Sequence, residues 1–384
     1  MRYLPYGHQS INEDDIKAVV EVLKGEWLTT GPAVERFESA AAEYTGASYA
    51  VSFSSGTAAL HGAMYAAGVS EGDFVLVPPL TFAATSNSAI YCGARPLFAD
   101  ISEESLCLDP TLSEEVCANA GAPVKVLAPV SFAGYPVDLK PFKELAQRVG
   151  AVLIEDAAHA FGGRRGEMRV GREADMTVLS FHPVKHITTA EGGMVVTDSE
   201  RFAERMRRFR SHGIVKSPRQ FVRPYDGPWD NDMIDIGYNY RLSDVASALG
   251  ASQIERIERF ISRRKEIAAL YRKALSHAAK DVKLPPDHPG HAYHLFPIWV
   301  SPQIRRPVFE ALRSDGIGVQ VHYVPVHLHT YYRERFGFAP GDFPKAEEYS
   351  AGEISLPIYT DMEDEDVLFV ADKLSNAVEK HAKA

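Results

Sequence analysis

Short, predominantly apolar runs at 74–77, 96–99, 124–129, 152–154, 176–181 and 194–197 punctuate the first half of the chain. Between several of them the apolar residues recur at helical spacing instead. Over 138–149, for example, Leu139, Phe142, Leu145, Ala146 and Val149 fall on one helix face. Runs without alternation are strands buried on both faces, and helices between them predict a mostly parallel sheet in a three-layer α/β/α domain. Nearer the N-terminus, Ile16, Val19, Val20 and Leu23 share a helix face, with Ser10 placed to begin that helix and Gly25 to end it.

From about residue 243 the pattern changes. A long amphipathic helix is predicted from Ser243 to about Leu275, carrying Arg256, Arg259, Arg263, Arg264 and Lys265. Beyond it come a strand-like run at 295–300, a helix at 307–314, a strand-like run at 318–324 and a closing helix over 364–378. This reads as a smaller α+β domain, giving a large domain over 1–245 and a small one over 246–384, with the N-terminal segment free to pack on the small domain. Residues 215–235, rich in Pro, Gly, Trp and charge, predict a long loop, and such loops are more often functional or interfacial than idle.

Composition narrows the function classes. A net charge of −10 argues against a general nucleic-acid binder and against attraction to anionic membranes, although local Arg, Lys and backbone N–H groups still allow an anionic ligand. Cys92, Cys107 and Cys117 are too few for a disulfide framework and lack zinc-ribbon spacing. No signal-peptide core and no membrane-length apolar run is present, so a reducing cytoplasm is the expected location.

The candidate chemistry begins at Lys185, in the run Ser180-Phe181-His182-Pro183-Val184-Lys185-His186-Ile187, just after a predicted strand. A free lysine titrates near about 10.4, so a nucleophilic one needs burial or neighbouring cations, and Val184 and Ile187 are consistent with partial burial. Asp156 ends the run Val152-Leu153-Ile154-Glu155, at the carboxyl end of a parallel strand, where ligand crevices of open α/β sheets lie. It serves equally well as a helix N-cap. A lysine able to form a Schiff base, with an aspartate for a pyridinium nitrogen, is the minimum equipment of a pyridoxal-phosphate enzyme. Ser55-Gly56-Thr57 passes into a helical segment and offers hydroxyls and free N–H groups to a phosphate; taken alone, the motif favours a plain helix cap. Phe82, after the turn-like Pro78-Pro79-Leu80-Thr81, is placed to stack on a flat heterocycle, with core packing the stronger reading from sequence. Neither a Walker loop nor a dinucleotide glycine fingerprint occurs. A lone lysine is usually a solvated surface group; here Ser180, Asp156 and the Ser-Gly-Thr turn set that reading aside.

In that order, Ser55-Gly56-Thr57, Thr81-Phe82, Glu155-Asp156-Ala157-Ala158-His159, Ser180-Phe181-His182 with Lys185, Glu191-Gly192-Gly193 and Gly237-Tyr238-Asn239-Tyr240-Arg241 resemble the sugar-nucleotide aminotransferases of the DegT/DnrJ/EryC1/StrS type. The likeness spans essentially the whole chain, His322-Tyr323 and Pro325 included. It implies fold type I architecture, that of aspartate aminotransferase, with pyridoxal phosphate as cofactor. It also implies that Lys185 carries the cofactor, Asp156 partners the ring nitrogen, Phe82 stacks on the ring and His159 lies near the ring hydroxyl. Ser55, Gly56, Thr57 and Ser180 then fall at the phosphate, with Asn239 donated by a second subunit of a homodimer, and His322 and Tyr323 near the sugar.

The wording from Ser180 to Gly193 is particularly similar to pseudaminic-acid-pathway enzymes, which aminate C4 of a UDP-linked 4-keto-6-deoxy N-acetylhexosamine, with glutamate the usual amino donor. Arg208-Phe209-Arg210-Ser211-His212-Gly213 and Glu353-Ile354-Ser355-Leu356-Pro357 suit that branch and the wider family alike. The alternatives are a C4 aminotransferase for a D-configured 4-keto-6-deoxyhexose or a 4-keto-pentose, a dehydratase relative in which histidine replaces the lysine, and a non-catalytic cofactor-bearing regulator. Lys185 favours transamination over the dehydratase. No helix-turn-helix or base-reading basic patch supports the regulator. His322, His327 and His329 form a weak metal candidate, for which no thiol or acid stands at matching spacing.

Overall fold

A computed structural model describes residues 3–278 and 280–382. Seven strands form the large sheet: β1 (Tyr49–Phe53), β2 (Phe74–Val77), β3 (Arg95–Phe98), β4 (Val124–Leu127), β5 (Val152–Asp156), β6 (Met176–Ser180) and β7 (Gly193–Thr197). Their spatial order is β1-β7-β6-β5-β4-β2-β3. Pairing is parallel from β3 through β6 and antiparallel where β7 meets β6 and β1. Side chains of these strands are buried on both faces, as Val75, Leu76 and Val77 show, which is why the runs carry no alternation. This is the fold type I, three-layer arrangement expected. β1 was not foreseen as a strand, because its apolar run leads without a break into the helix Gly56–Ala67.

The smaller sheet contains β8 (Val282–Lys283), β9 (Phe296–Val300) and β10 (Glu353–Leu356) in that order, all antiparallel. The helices Ile257–Ala274, Pro302–Ser314 and Asp364–Ala382 share its core, and Leu4 joins them from the N-terminal segment.

Three expectations are corrected. The predicted helix from Ser243 to Leu275 is two helices, Asp244–Ile254 and Ile257–Ala274. At the break, Arg256 turns to the buried carboxylate of Asp15, a tertiary ion pair that periodicity does not register. The run at 318–324 is irregular extended chain with a single bridge from Gln320 to Ser355. The first helix, Glu13–Lys24, is capped by Asn12 rather than Ser10, through a reciprocal bond with Asp15. Its apolar face is only partly covered, for Ile16 and Leu23 are exposed while Asp15 is buried. Segment 215–235 is largely loop, with a short strand pair, Ile214–Val215 against Asp232–Met233, at its ends. The three cysteines are free, and no helix among the described residues is long and apolar enough to cross a membrane.

Candidate active site

The order β3-β2-β4-β5-β6 reverses direction around β2, and the carboxyl ends of these strands open onto a pocket of about 430 Å³. That is where a doubly wound sheet leaves room for a ligand. Ser55, Gly56, Thr57, Phe82, Asp156, His159, Ser180, Lys185, His322 and Tyr323 all line it. Asn239 does not; it lies exposed on the chain leading out of the 215–235 loop, bridged to Ser211.

Asp156 is the last residue of β5, and strand alternation separates it from its neighbour. Glu155 turns the other way, to Arg165 and to the Ser131 hydroxyl, which donates to it at 2.6 Å. Asp156 faces the pocket. Its carboxylate accepts from the Thr85 hydroxyl at 2.6 Å and from the Ala158 N–H at 3.1 Å. Burial holds this carboxyl above the ordinary range, while Lys185 pulls it back down. A buried carboxylate so placed is stabilised by a cation, and a protonated ring nitrogen is one.

Lys185 follows β6 on a tight loop, half-buried. Desolvation pushes its amine down to about 7, against the pull of Asp156 and with help from the Arg264 guanidinium. A sizeable neutral fraction at neutral pH is what a nucleophilic amine requires. The Nζ atom lies 3.2 Å from His294 Nε2. The adjacent His186 points away, its Nε2 donating to the Ala292 carbonyl at 3.1 Å.

The Ser55 hydroxyl caps the helix Gly56–Ala67 by accepting from the Ala58 N–H at 3.1 Å, so the cap reading of this motif holds. The phosphate reading survives beside it. Gly56 and Thr57, at the first helical turn where N–H groups lack intrahelical partners, line the pocket, and a Cβ on Gly56 would sit 3.1 Å from the Ser180 hydroxyl. The expectation of core packing for Phe82 is overturned. Its ring is 59% exposed within the pocket, tilted against Tyr323 at 5.9 Å. A large apolar side chain left open beside a buried acid and an activated lysine is a surface awaiting a flat ring. His159 is buried, and desolvation keeps it neutral. Its Nδ1 accepts from the Ala133 N–H at 3.3 Å, which leaves Nε2–H for the Tyr323 oxygen at 3.2 Å. A largely apolar-walled slot with an acid at one end and a helix N-terminus at the other fits pyridoxal phosphate.

Thr85, His294, Tyr6, His182 and Glu191 also line or brace the pocket and were not foreseen. Thr81, just before the helix Ala84–Tyr91, bonds Thr85 on its first turn at 3.0 Å. His294 offered no signal in the sequence. It is fixed from behind by Arg264, fully buried, which donates to the carbonyls of Tyr293, His294 and Ile358. The histidine triplet is dispersed. His327 lies in the turn Val326–Leu328 and pairs with Glu347 at 3.0 Å, whereas His322 bonds Ser355.

The sequence profile of the DegT/DnrJ/EryC1/StrS aminotransferase family matches residues 9–375. The UDP-4-amino-4,6-dideoxy-N-acetyl-beta-L-altrosamine transaminase of Campylobacter jejuni is 38% identical over 385 residues, covering 99% of both chains. Among solved structures, Helicobacter pylori PseC, an aminotransferase involved in the biosynthesis of pseudoaminic acid, superposes with a TM-score of 0.90 at 29% identity, over 99% of this chain and 100% of that one. The PLP-form of the putative sugar aminotransferase Spr1654 from Streptococcus pneumoniae gives 0.90 at 28% identity, over 99% of both.

Proposed function

The chain belongs to the DegT/DnrJ/EryC1/StrS aminotransferase family, and on that premise we propose that it aminates C4 of a UDP-linked 4-keto-6-deoxy N-acetylhexosamine, with glutamate as amino donor. That it is a pyridoxal-phosphate-dependent sugar aminotransferase follows from the family. The finer reading rests on one observation, the 38% identity to the Campylobacter transaminase over nearly the full length of both chains.

In this reading the cofactor supplies an aldehyde that receives the amine and a ring that delocalises the electron pair left by a departing proton. The chain's residues do the rest. Gly56, Thr57 and Ser180 hold the phosphate beside the helix N-terminus, with Ser55 fixing that terminus as its cap. Asp156 would keep the ring nitrogen protonated, Phe82 would stack on the ring and His159 would lie near the ring hydroxyl. Lys185 Nζ, poised near neutrality, takes and returns the proton exchanged at the reacting carbons. His322 and Tyr323 contact the sugar.

Incubation of the purified protein with glutamate and a panel of 4-keto nucleotide sugars tests the assignment. The expected product is the 4-amino sugar of the UDP-N-acetyl-L-hexosamine series, its mass and C4 configuration read by NMR. Preferential turnover of a D-configured 4-keto-6-deoxyhexose or a 4-keto-pentose rejects it.

A homodimer completes the site. Val222, Trp229, Met233 and Ile236 expose apolar side chains on the segment leading to Asn239, a concentration that a monomer has no reason to leave in water. A second copy covering this loop brings its Asn239 to the phosphate. The expected solution mass of the active protein is twice that of the chain; an active monomer refutes the arrangement.

A further inference from the structure

On its small-sheet side the pocket leads into a line of three buried polar groups. Glu353 and Ser355 occupy alternate positions of β10 and so share a face. The Ser355 hydroxyl donates to Glu353 Oε1 at 2.5 Å and lies 2.8 Å from His322 Nδ1. Glu353 Oε2 accepts from the backbone N–H of His322 at 2.7 Å. Glu353 and Ser355 are fully buried and His322 nearly so. His322 alone of the three lines the pocket. With Nδ1 engaged, Nε2 is the ring nitrogen left for a ligand.

We propose that Glu353 is a buried proton store that exchanges one proton with the substrate pocket through Ser355 and His322. When Glu353 is ionised, its oxygens only accept, so Ser355 gives its proton to Oε1 and must itself accept from His322 Nδ1–H. Nε2 then carries a lone pair. A proton arriving at Nε2 from the pocket is balanced in two moves: Nδ1–H passes to Ser355 Oγ, and the serine proton passes to Glu353 Oε1. The ring ends neutral, with Nε2–H now a donor. The pocket wall changes from acceptor to donor without acquiring a charge. On the reading of this site as a keto-sugar pocket, on which the functional use rests, such a store serves the carbonyl oxygen that must gain protons before leaving as water.

The surroundings favour this exchange over an imidazolium. Burial raises the Glu353 carboxyl to about 8 and lowers His322 to about 3, so the shared proton belongs on the acid. Glu353 makes no ion pair among the described residues. Arg305, on the helix Pro302–Ser314, favours its ionised form from a distance, while burial and then the Glu353 carboxylate keep the Tyr349 phenol, on the helix Pro344–Gly352, in its neutral form. His322 meets Tyr6 and Tyr323 at its ring, with Lys185 and His159 across the pocket.

The test is the tautomer of His322, read by NMR of the holoenzyme labelled with ¹⁵N-histidine and assigned with His322→Asn. Wild type is expected to show Nε2–H at low pH and Nδ1–H at high pH, with a midpoint near 8. Ser355→Ala, which cuts the line, is expected to abolish the swap. Glu353→Gln, which keeps the shape, is expected to hold one tautomer at every pH. A tautomer constant in wild type from roughly pH 6 to 9 overturns the proposal, as does a swap that persists in either variant. No sugar is present in this measurement, so a wrong substrate assignment leaves its outcome untouched.

Discussion

Lys185→Ala is expected to lower turnover by at least about 10²–10⁴-fold, the range for removing a general acid–base alone, and further because the cofactor loses its covalent anchor. Borohydride treatment is expected to fix pyridoxal phosphate onto the wild-type chain at Lys185 and to fix none on the variant. Folding survives, because the amine is a desolvated group whose loss relieves a cost. The Lys185 amine titrates at about 7 in the fold against 10.5 for an ordinary lysine. A depressed folded value means that the stability associated with this group is full above 10.5 and lost as pH falls through about 7. Thermal melts of the cofactor-free proteins should therefore favour the variant most clearly on the acid side of neutrality. Turnover by Lys185→Ala comparable to wild type, with either amino donor or sugar, ends the assignment of this residue.

The second large effect is expected at Asp156. Asp156→Asn preserves volume and can still accept the Thr85 hydroxyl, so the fold should stand. What disappears is the negative charge at the end of β5. In a desolvated pocket such a charge cannot be replaced by water, and the ring nitrogen loses the partner that keeps its proton. A fall in kcat/KM of about 10²–10³-fold is expected, the range for losing one preorganised electrostatic contact. Retention of the cofactor should weaken as well, measured by its loss on dialysis. An Asp156→Asn enzyme with unaltered kcat/KM would show that this acid serves only as the local cap for Ala158.

Much of the site was legible because its parts lie at element boundaries that the chain itself announces. Asp156, Ser180 and Lys185 follow apolar runs, and Gly56 opens a helix, so sequence alone puts them at element ends, while the sheet order that makes those ends neighbours came from the tertiary structure. For Phe82 the residues alone favoured core packing, and only the family resemblance pointed to the ring, because an apolar residue after a turn gives no indication of which way its ring faces. His294 and Arg264 were invisible for a related reason. One stands before a strand with no motif around it, and the other sits within a charged helix whose pattern suggested solvent. Their meeting behind Lys185 depends on how that helix packs on the chain from Ala292 to Leu295.

Local pattern determined the layers, six of the seven strands of the large sheet and the ordered set of chemical groups, since periodicity and chain punctuation are short-range properties. The tertiary structure alone decided which groups became desolvated and in what company. It set Lys185 near neutrality, left Phe82 open in the pocket, broke the 243–275 helix at an ion pair with Asp15, and aligned Glu353, Ser355 and His322. Those outcomes follow from burial and from contacts between residues up to hundreds of positions apart. Both alter proton affinity and orientation by amounts that no single stretch of sequence contains.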